Sequence, residues 1–326
     1  VIQPMPRKQI NRSLFHHHSL HQKSRHENET MALDHLNELR DDFALRGRCE
    51  MYRVDLKSMA AAHRLHQGTN LRGHLVWARM SHFQKLLTIR NVSAPEEDED
   101  ILQFFREHHD PTIFMERYAM KRAEFRKLIS PLVRSGHLIQ DYRGGFKTVE
   151  PIRNSDLWEI KRDYLRDLVK DYPVITLKQV ERLAGSPFSA EEISDVMREF
   201  EEDGTLIKGF LVDDMHDVCW GRLDLLDESN TLSRSRDLVI PPSDPLIHYY
   251  GGLLRERFGY GSAYLVFHRE EPVAAFKANT REGVIHITDF VGDSDLEKEA
   301  LRVMKEFAWE HDMPLKGKLY ERLRTR

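Results

Sequence analysis

Residues Lys121–Lys147 read KRAEFRKLISPLVRSGHLIQDYRGGFK, and their pattern decides the fold. Lys121 to Arg134 carries Lys121, Arg122, Arg126, Lys127 and Arg134 against Glu124 alone. Phe125, Leu128, Ile129, Leu132 and Val133 recur at spacings of three and four, so one face of a helix is apolar and can dock on a core. Gly136 ends that helix, because glycine takes a positive φ at little cost. His137–Asp141 and Phe146–Glu150 then read as strands around the turn Tyr142-Arg143-Gly144-Gly145, with Arg143 at the tip and Lys147 just beyond. A basic helix followed by a basic hairpin is the layout of a winged helix-turn-helix, in which the helix enters a groove and the wing touches phosphate. Pro131 inside the helix predicts a kink or an early end near Ser130.

Upstream, Pro95-Glu96-Glu97-Asp98-Glu99-Asp100 reads as the first turn of a helix that continues through Ile101, Leu102, Phe104 and Phe105. Negative charge suits the positive end of the helix dipole there. Asp110-Pro111 opens a short second helix, with proline at its first position. Three helices and a hairpin make residues 95–154 one basic winged helix.

Residues 155–212 repeat the plan. Asp156–Tyr172 is amphipathic. Thr176 caps a helix stopped by Gly185, and Ser189 with Glu192 forms a capping box for a third helix that Gly204 ends. Thr205–Val212 is the following strand. This third helix is acidic: Glu191, Glu192, Asp195, Glu199, Glu201, Glu202 and Asp203 stand against Arg198. Phosphate repels such a helix. The nucleic-acid contacts are therefore assigned to Lys121, Arg122, Arg126, Lys127, Arg134, Arg143 and Lys147. Glu199 and Glu202 are assigned to a protein partner.

On the N-terminal side, residues 31–94 read as an α-rich module, with helices over Leu33–Leu39, Leu56–Leu65 and Leu75–Ile89. Residues 1–30 lack periodicity and read as a disordered, His-rich arm. Its His16, His17, His18 and His21 could hold a metal, but the simpler reading is a polar tract with no metal. Met31, where ordered patterning begins, is a candidate natural start. From Asp213 the period switches to two. Residues 213–326 read as an antiparallel sheet or small open barrel with two helices and a basic tail. The fold class is thus α+β: two tandem winged helices followed by a β-barrel-like module with flanking helices.

Composition bounds the function. The chain has 326 residues, 40% apolar and 31% charged, with a net charge of −4. Any affinity for nucleic acid must come from local clusters rather than from overall charge. Cys49 and Cys219 are the only cysteines and form no metal or redox spacing, which points to a reducing cytoplasm. No apolar run approaches the ~20 residues that span a bilayer. Gly251-Gly252 and Gly259-Tyr260-Gly261 lack the setting of a phosphate loop, so no cofactor is implied. Asp213, Asp214, His216 and Asp217 read as a solvated turn, and Cys219 beside Trp220 as a core residue.

Within Asp237–Asp289, the Pro-Ser-Asp-Pro-Leu turn at 242–246, Arg257-Phe258-Gly259 and the strand Val273-Ala274-Ala275-Phe276 carry a resemblance. This stretch resembles the C-terminal module of the bacterial DNA-crosslink-repair glycosylases and the related module at the end of large helicase-related proteins. The resemblance implies winged helices and a β-barrel that together cradle double-stranded DNA. It also implies a Gln-x-Gln or Gln-x-Asp pair near the N-terminus that positions a water at the sugar carbon. The nearest match is Gln67, but Gly68-Thr69 follows and the second member is missing. Three readings follow: a duplex DNA-binding protein of DNA repair or processing, a base-excision glycosylase acting on alkylated or crosslinked bases through Gln67, or an interaction module that docks a helicase on the acidic helix.

Overall fold

The computed structural model describes residues 4–18, 20, 55–213, 215–228, 231–244 and 246–324. The expected helix at Leu33–Leu39, together with His21, Cys49 and Asp214, lies outside the described residues. The chain is a mixed α+β protein.

The N-terminal arm holds a helix, which corrects the expectation of disorder for that part of it. Helix α1 (Arg7–His17) buries Ile10, Leu14 and Phe15. Phe15 meets the ring of Phe267 edge-on, with centroids 5.0 Å apart. The Arg12 guanidinium donates to the buried carboxylate of Glu270 at 2.7 Å, and Asn11 Nδ2 donates to the Glu270 carbonyl at 2.7 Å. Met5, just before the helix, bridges to Val212. The helix hid from pattern reading because several of its buried residues are polar. Asn11 and Ser13 are as buried as its apolar side chains and find their partners more than two hundred residues away.

The next stretch is less helical than its periodicity implied. Helix α2 (Leu56–Ala62) is capped by Asp55 and leads into strands β1 (His66–Thr69) and β2 (Leu75–Ala78), followed by α3 (Met80–Arg90). The Asn70 side chain accepts from the backbone N–H of Arg72 at 3.1 Å and of His74 at 3.0 Å, closing the β1–β2 turn. The expected helix Leu75–Ile89 is therefore a strand plus a helix. Leu75-Val76-Trp77 suits either element, and pairing with β1 decides for the strand.

Helices α4 (Glu99–Glu107), α5 (Pro111–Arg117) and α6 (Arg122–Ser135) follow, then strands β3 (Leu138–Asp141) and β4 (Phe146–Thr148). A turn of 3₁₀ helix (Glu96–Asp98) precedes α4. Pro131 does not end α6, which runs on to Gly136 at φ 88°. Phe125, Ile129 and Leu132 hold both halves of the helix on one core with Phe104, Phe105, Phe114 and Phe146. The lost hydrogen bond falls on the exposed side of the helix. The hairpin joins β1 and β2 in one antiparallel sheet of order β2-β1-β3-β4.

The second unit comprises α7 (Leu157–Val169), β5 (Val174–Thr176), α8 (Leu177–Ala184), α9 (Ala190–Glu202), β6 (Ile207–Gly209) and β7 (Cys219–Gly221). Strand β7 lies between β5 and β6, so a boundary at residue 212 would cut a three-stranded sheet. The expected strand over Val218–Leu226 stops at Gly221, and α10 (Leu223–Glu228) follows.

The C-terminal unit is a five-stranded sheet of order β12-β11-β10-β9-β8, built from β8 (Leu238–Ile240), β9 (Tyr264–His268), β10 (Glu271–Arg281), β11 (Val284–Gly292) and β12 (Leu315–Lys316). Its pairs are antiparallel except β11–β12, which is parallel. Two register shifts in β10 help the sheet curl into a half-barrel. Helices α11 (Leu246–Tyr249) and α12 (Gly251–Phe258) connect β8 to β9, and α13 (Glu297–Glu310) packs on the sheet. The basic tail is structured too: α14 (Lys318–Arg324) buries Tyr320 and Leu323.

One core joins these units. Leu14 and Phe15 of α1, Phe83 of α3, Leu165 of α7, Met197 of α9, Leu254 of α12 and Phe267 of β9 belong to a single buried cluster. Phe15→Ala should therefore cost about 3–5 kcal/mol of unfolding free energy in a denaturant titration. An unchanged midpoint would mean that α1 does not contribute to the core.

Candidate nucleic-acid interface

Helix α6 enters with Lys121 in an extended conformation, and the Glu124 carboxylate accepts the Lys121 backbone N–H at 2.9 Å. Arg122, Arg126 and Lys127 are exposed along its first turns, and Arg134 is exposed near its end, with Nε directed at the Ser130 carbonyl. The hairpin tip is held from inside. Asp141 Oδ1 accepts the N–H of Arg143 at 2.8 Å and of Gly145 at 2.9 Å, leaving Arg143 exposed beside the Tyr142 ring. Its base is tied to the start of α5 through the Phe146 N–H, which donates to His109 O at 2.8 Å. Lys147 is half-buried. None of Lys121, Arg122, Arg126, Lys127, Arg143 or Lys147 makes an ion pair among the described residues.

The acidic helix α9 is built differently. Lys161 of α7 meets Glu192 at 2.5 Å, Arg162 meets Glu199 at 3.7 Å and Arg166 meets Asp203 at 3.8 Å. Arg198 pairs with Asp195 at 2.9 Å and Glu202 at 4.0 Å, and Lys208 faces Glu201 at 3.8 Å. Each acid from Glu191 to Asp203 except Glu191 thus has a cation within 4.0 Å, Glu199 and Glu202 included.

Gln67 lies in β1, opposite Trp77 on one side and Gln140 on the other, and is half-buried. It is a central-strand residue rather than a helix end. Residues 67 and 69 share the face turned toward α6, where the Thr69 hydroxyl donates to the Val133 carbonyl at 2.9 Å. Thr69 is buried, and its hydroxyl proton is committed to that carbonyl. On the opposite face, burial and nearby Lys147 hold the His66 pKa below its usual value.

The other expected features fall outside this surface. No group of three or more His, Cys, Asp or Glu side chains suited to a metal occurs among the described residues. His16 instead contacts the Ser233 carbonyl, and His18 that of Asp171. Cys219 is buried, and burial pushes its thiol up to about 11, the setting of a core residue. A cleft of about 550 Å³ lies between α1, α8 and the α11–α12 pair. Several of its polar groups are already used: the Tyr249 hydroxyl donates to Val174 O, the Tyr250 hydroxyl to Asn11 Oδ1, and Gln179 Nε2 to Tyr249 O. No helix among the described residues is long and apolar enough to cross a membrane.

Sequence reasoning missed Arg90, at the end of α3. Its guanidinium donates to the carbonyls of Ser135 at 3.1 Å, Thr69 at 2.8 Å and Asn70 at 2.5 Å. It thereby ties the C-terminal end of α6 to the end of β1. The only sequence signal was a basic residue in a last helical turn.

The chain shares its fold with Streptomyces sahachiroi DNA glycosylase AlkZ. The TM-score is 0.59 at 13% identity, over 97% of this chain and 100% of that one. No protein-family model matches the chain, and no curated protein does. The likeness extends well beyond the C-terminal stretch that carried the expected resemblance, and it gives no support to the helicase-related module.

Replacing Arg90 with leucine should lower stability by about 2–4 kcal/mol, because three carbonyls lose their charged donor. It should also speed amide exchange in the last turn of α6. Unaltered exchange there would show that Arg90 does not anchor the helix.

Proposed function

We propose that the protein binds duplex DNA through a winged helix made of α4, α5, α6 and the β3–β4 hairpin, in DNA repair or processing. The observation that carries this reading is the contrast in charge use. Lys121, Arg122, Arg126, Lys127 and Arg143 stand exposed without an ion-pair partner among the described residues, while the acids of the matching helix α9, Glu191 excepted, are met by α7 and by nearer neighbours. Unpaired cations on an exposed helix and turn suit a polyanion, whose condensed counter-ions they release on binding. Arg122, Arg126 and Lys127 are the groove-side candidates, and Arg134, Arg143 and Lys147 are backbone contacts. The likeness to a DNA glycosylase fits this substrate.

Base excision is the second reading, with Gln67 as the residue that would position water. Its geometry is less favourable. A second polar group is needed close by to orient and deprotonate the water, and the residue two positions on is Thr69, buried and donating to Val133 O. The helicase-docking reading is not carried forward, because Glu199 and Glu202 already face Arg162 and Arg198.

Duplex binding titrated against salt tests the proposal. Arg126→Ala/Lys127→Ala should reduce the log–log slope by about 1–2. An unchanged affinity and slope would remove α6 from the interface. If the wild type releases bases from alkylated DNA and Gln67→Ala does not, the glycosylase reading displaces simple binding.

A further inference from the structure

A second group of basic side chains lies where three parts of the chain meet. Arg72 and His74 come from the β1–β2 turn, Arg182 from α8, His248 from α11 and Arg255 from α12. The His74 and His248 rings lie 5.1 Å apart. Arg182 reaches the His248 carbonyl with Nη1 at 3.4 Å. The same Nη1 lies 3.0 Å from where a Cβ on Gly251 would stand, so a glycine there makes room for it. The β1–β2 turn is brought in by another glycine. Gly185, at φ 87° beyond the end of α8, lies against Leu71 O and Arg72 Cγ, each 3.2 Å from where its Cβ would stand.

Arg72, Arg182 and Arg255 carry like charge, and none of the three makes an ion pair among the described residues. Nε and Nη1 of Arg72 are buried and have no hydrogen-bond partner among the described residues. Burial and nearby Arg255 hold the Arg182 guanidinium below its ordinary value, and Glu256 acts against them. Burial, then Arg72, His74 and Arg182, hold His248 down to about 4, so at neutral pH it is an uncharged imidazole. An imidazole in that state can still donate one N–H. His74 and Arg255 are exposed, so the cluster opens to solvent.

We infer that Arg72, Arg182 and His248, with His74 and Arg255 at the rim, form a phosphate-binding notch whose ligand is a backbone phosphodiester of bound DNA. Two guanidinium groups and an imidazole supply the charge and the directed N–H donors that a phosphate oxyanion takes. The notch would fix the register of the duplex at a second point, from a turn and three helices outside the basic winged helix. The inference rests on the DNA-binding reading for its ligand, but the anion site itself does not.

Inorganic phosphate and a 16-base-pair duplex are the two probes, with histidine ring resonances of the full chain as the first readout. Phosphate at tens of millimolar should shift the His74 and His248 rings in the wild type and in Arg72→Lys/Arg182→Lys. It should not shift them in Arg72→Gln/Arg182→Gln, with a thermal unfolding curve showing that this variant folds. Rings that stay unmoved in the wild type, or shift equally in the glutamine variant, overturn the site. In the duplex arm the glutamine variant should lose about 1–2 from the salt slope. If that slope is intact while Arg126→Ala/Lys127→Ala reduces it, the notch holds no DNA phosphate and the inference fails, though the proposed function stands. If phosphate shifts the rings but the wild type binds no duplex, the anion site stands and the DNA reading fails.

Discussion

The guanidinium of Arg90 connects the two halves of the region that carries the basic surface. It bonds the last turn of α6 and the end of β1 at once. A positive group suits that end of α6, where unsatisfied carbonyls carry the negative pole of the helix. The sheet beneath closes because Gly68 has no side chain. A Cβ there would stand 2.5 Å from Phe83 Cε1 and 2.7 Å from Ile139 Cγ2. Thus α3 presses on one face of the β2-β1-β3-β4 sheet while α6 lies on the other. The orientation of Arg122, Arg126 and Lys127 follows from that packing rather than from α6 itself.

Electrostatics then separates two helices that share a local plan. Both α6 and α9 are third helices, each following two shorter or earlier helices and preceding a strand. In α9 the acids are matched mainly from α7, whose Lys161, Arg162 and Arg166 line up along it. Exposed pairs of this kind contribute roughly 0–1 kcal/mol each, so their main effect is to cancel a field. The cations of α6 lack such a neighbour among the described residues, and their field projects into solvent.

Much of this was legible in the sequence wherever the signal was local. Thr176 and Ser189 each cap the helix expected of them, the helices expected to open at Asp110 and Asp156 do so, and the hairpin around Arg143 turns where its glycines stand. Elements fixed by distant partners were not legible. Helix α1 sets the buried Asn11 and the half-buried Arg12 against Glu270, a partner that no local window contains. Strand β7 completes a sheet whose other members end ten or more residues earlier. Leu75-Val76-Trp77 carries helical spacing by chance and becomes a strand only through β1. The candidate site divides the same way. The cations of α6 could be read from their spacing, while Arg90 and the Arg72–Arg182–His248 group exist only once the units are assembled.

The central claim is that the N-terminal half of α6 and the tip of the β3–β4 hairpin meet duplex DNA while α9 does not. Amide hydrogen exchange with and without a 16-base-pair duplex measures this directly on the intact chain. The account expects slower exchange over residues 121–127 and 141–147, with residues 190–202 unchanged. Protection confined to residues 190–202, or none over residues 121–127 at saturating duplex, would contradict it.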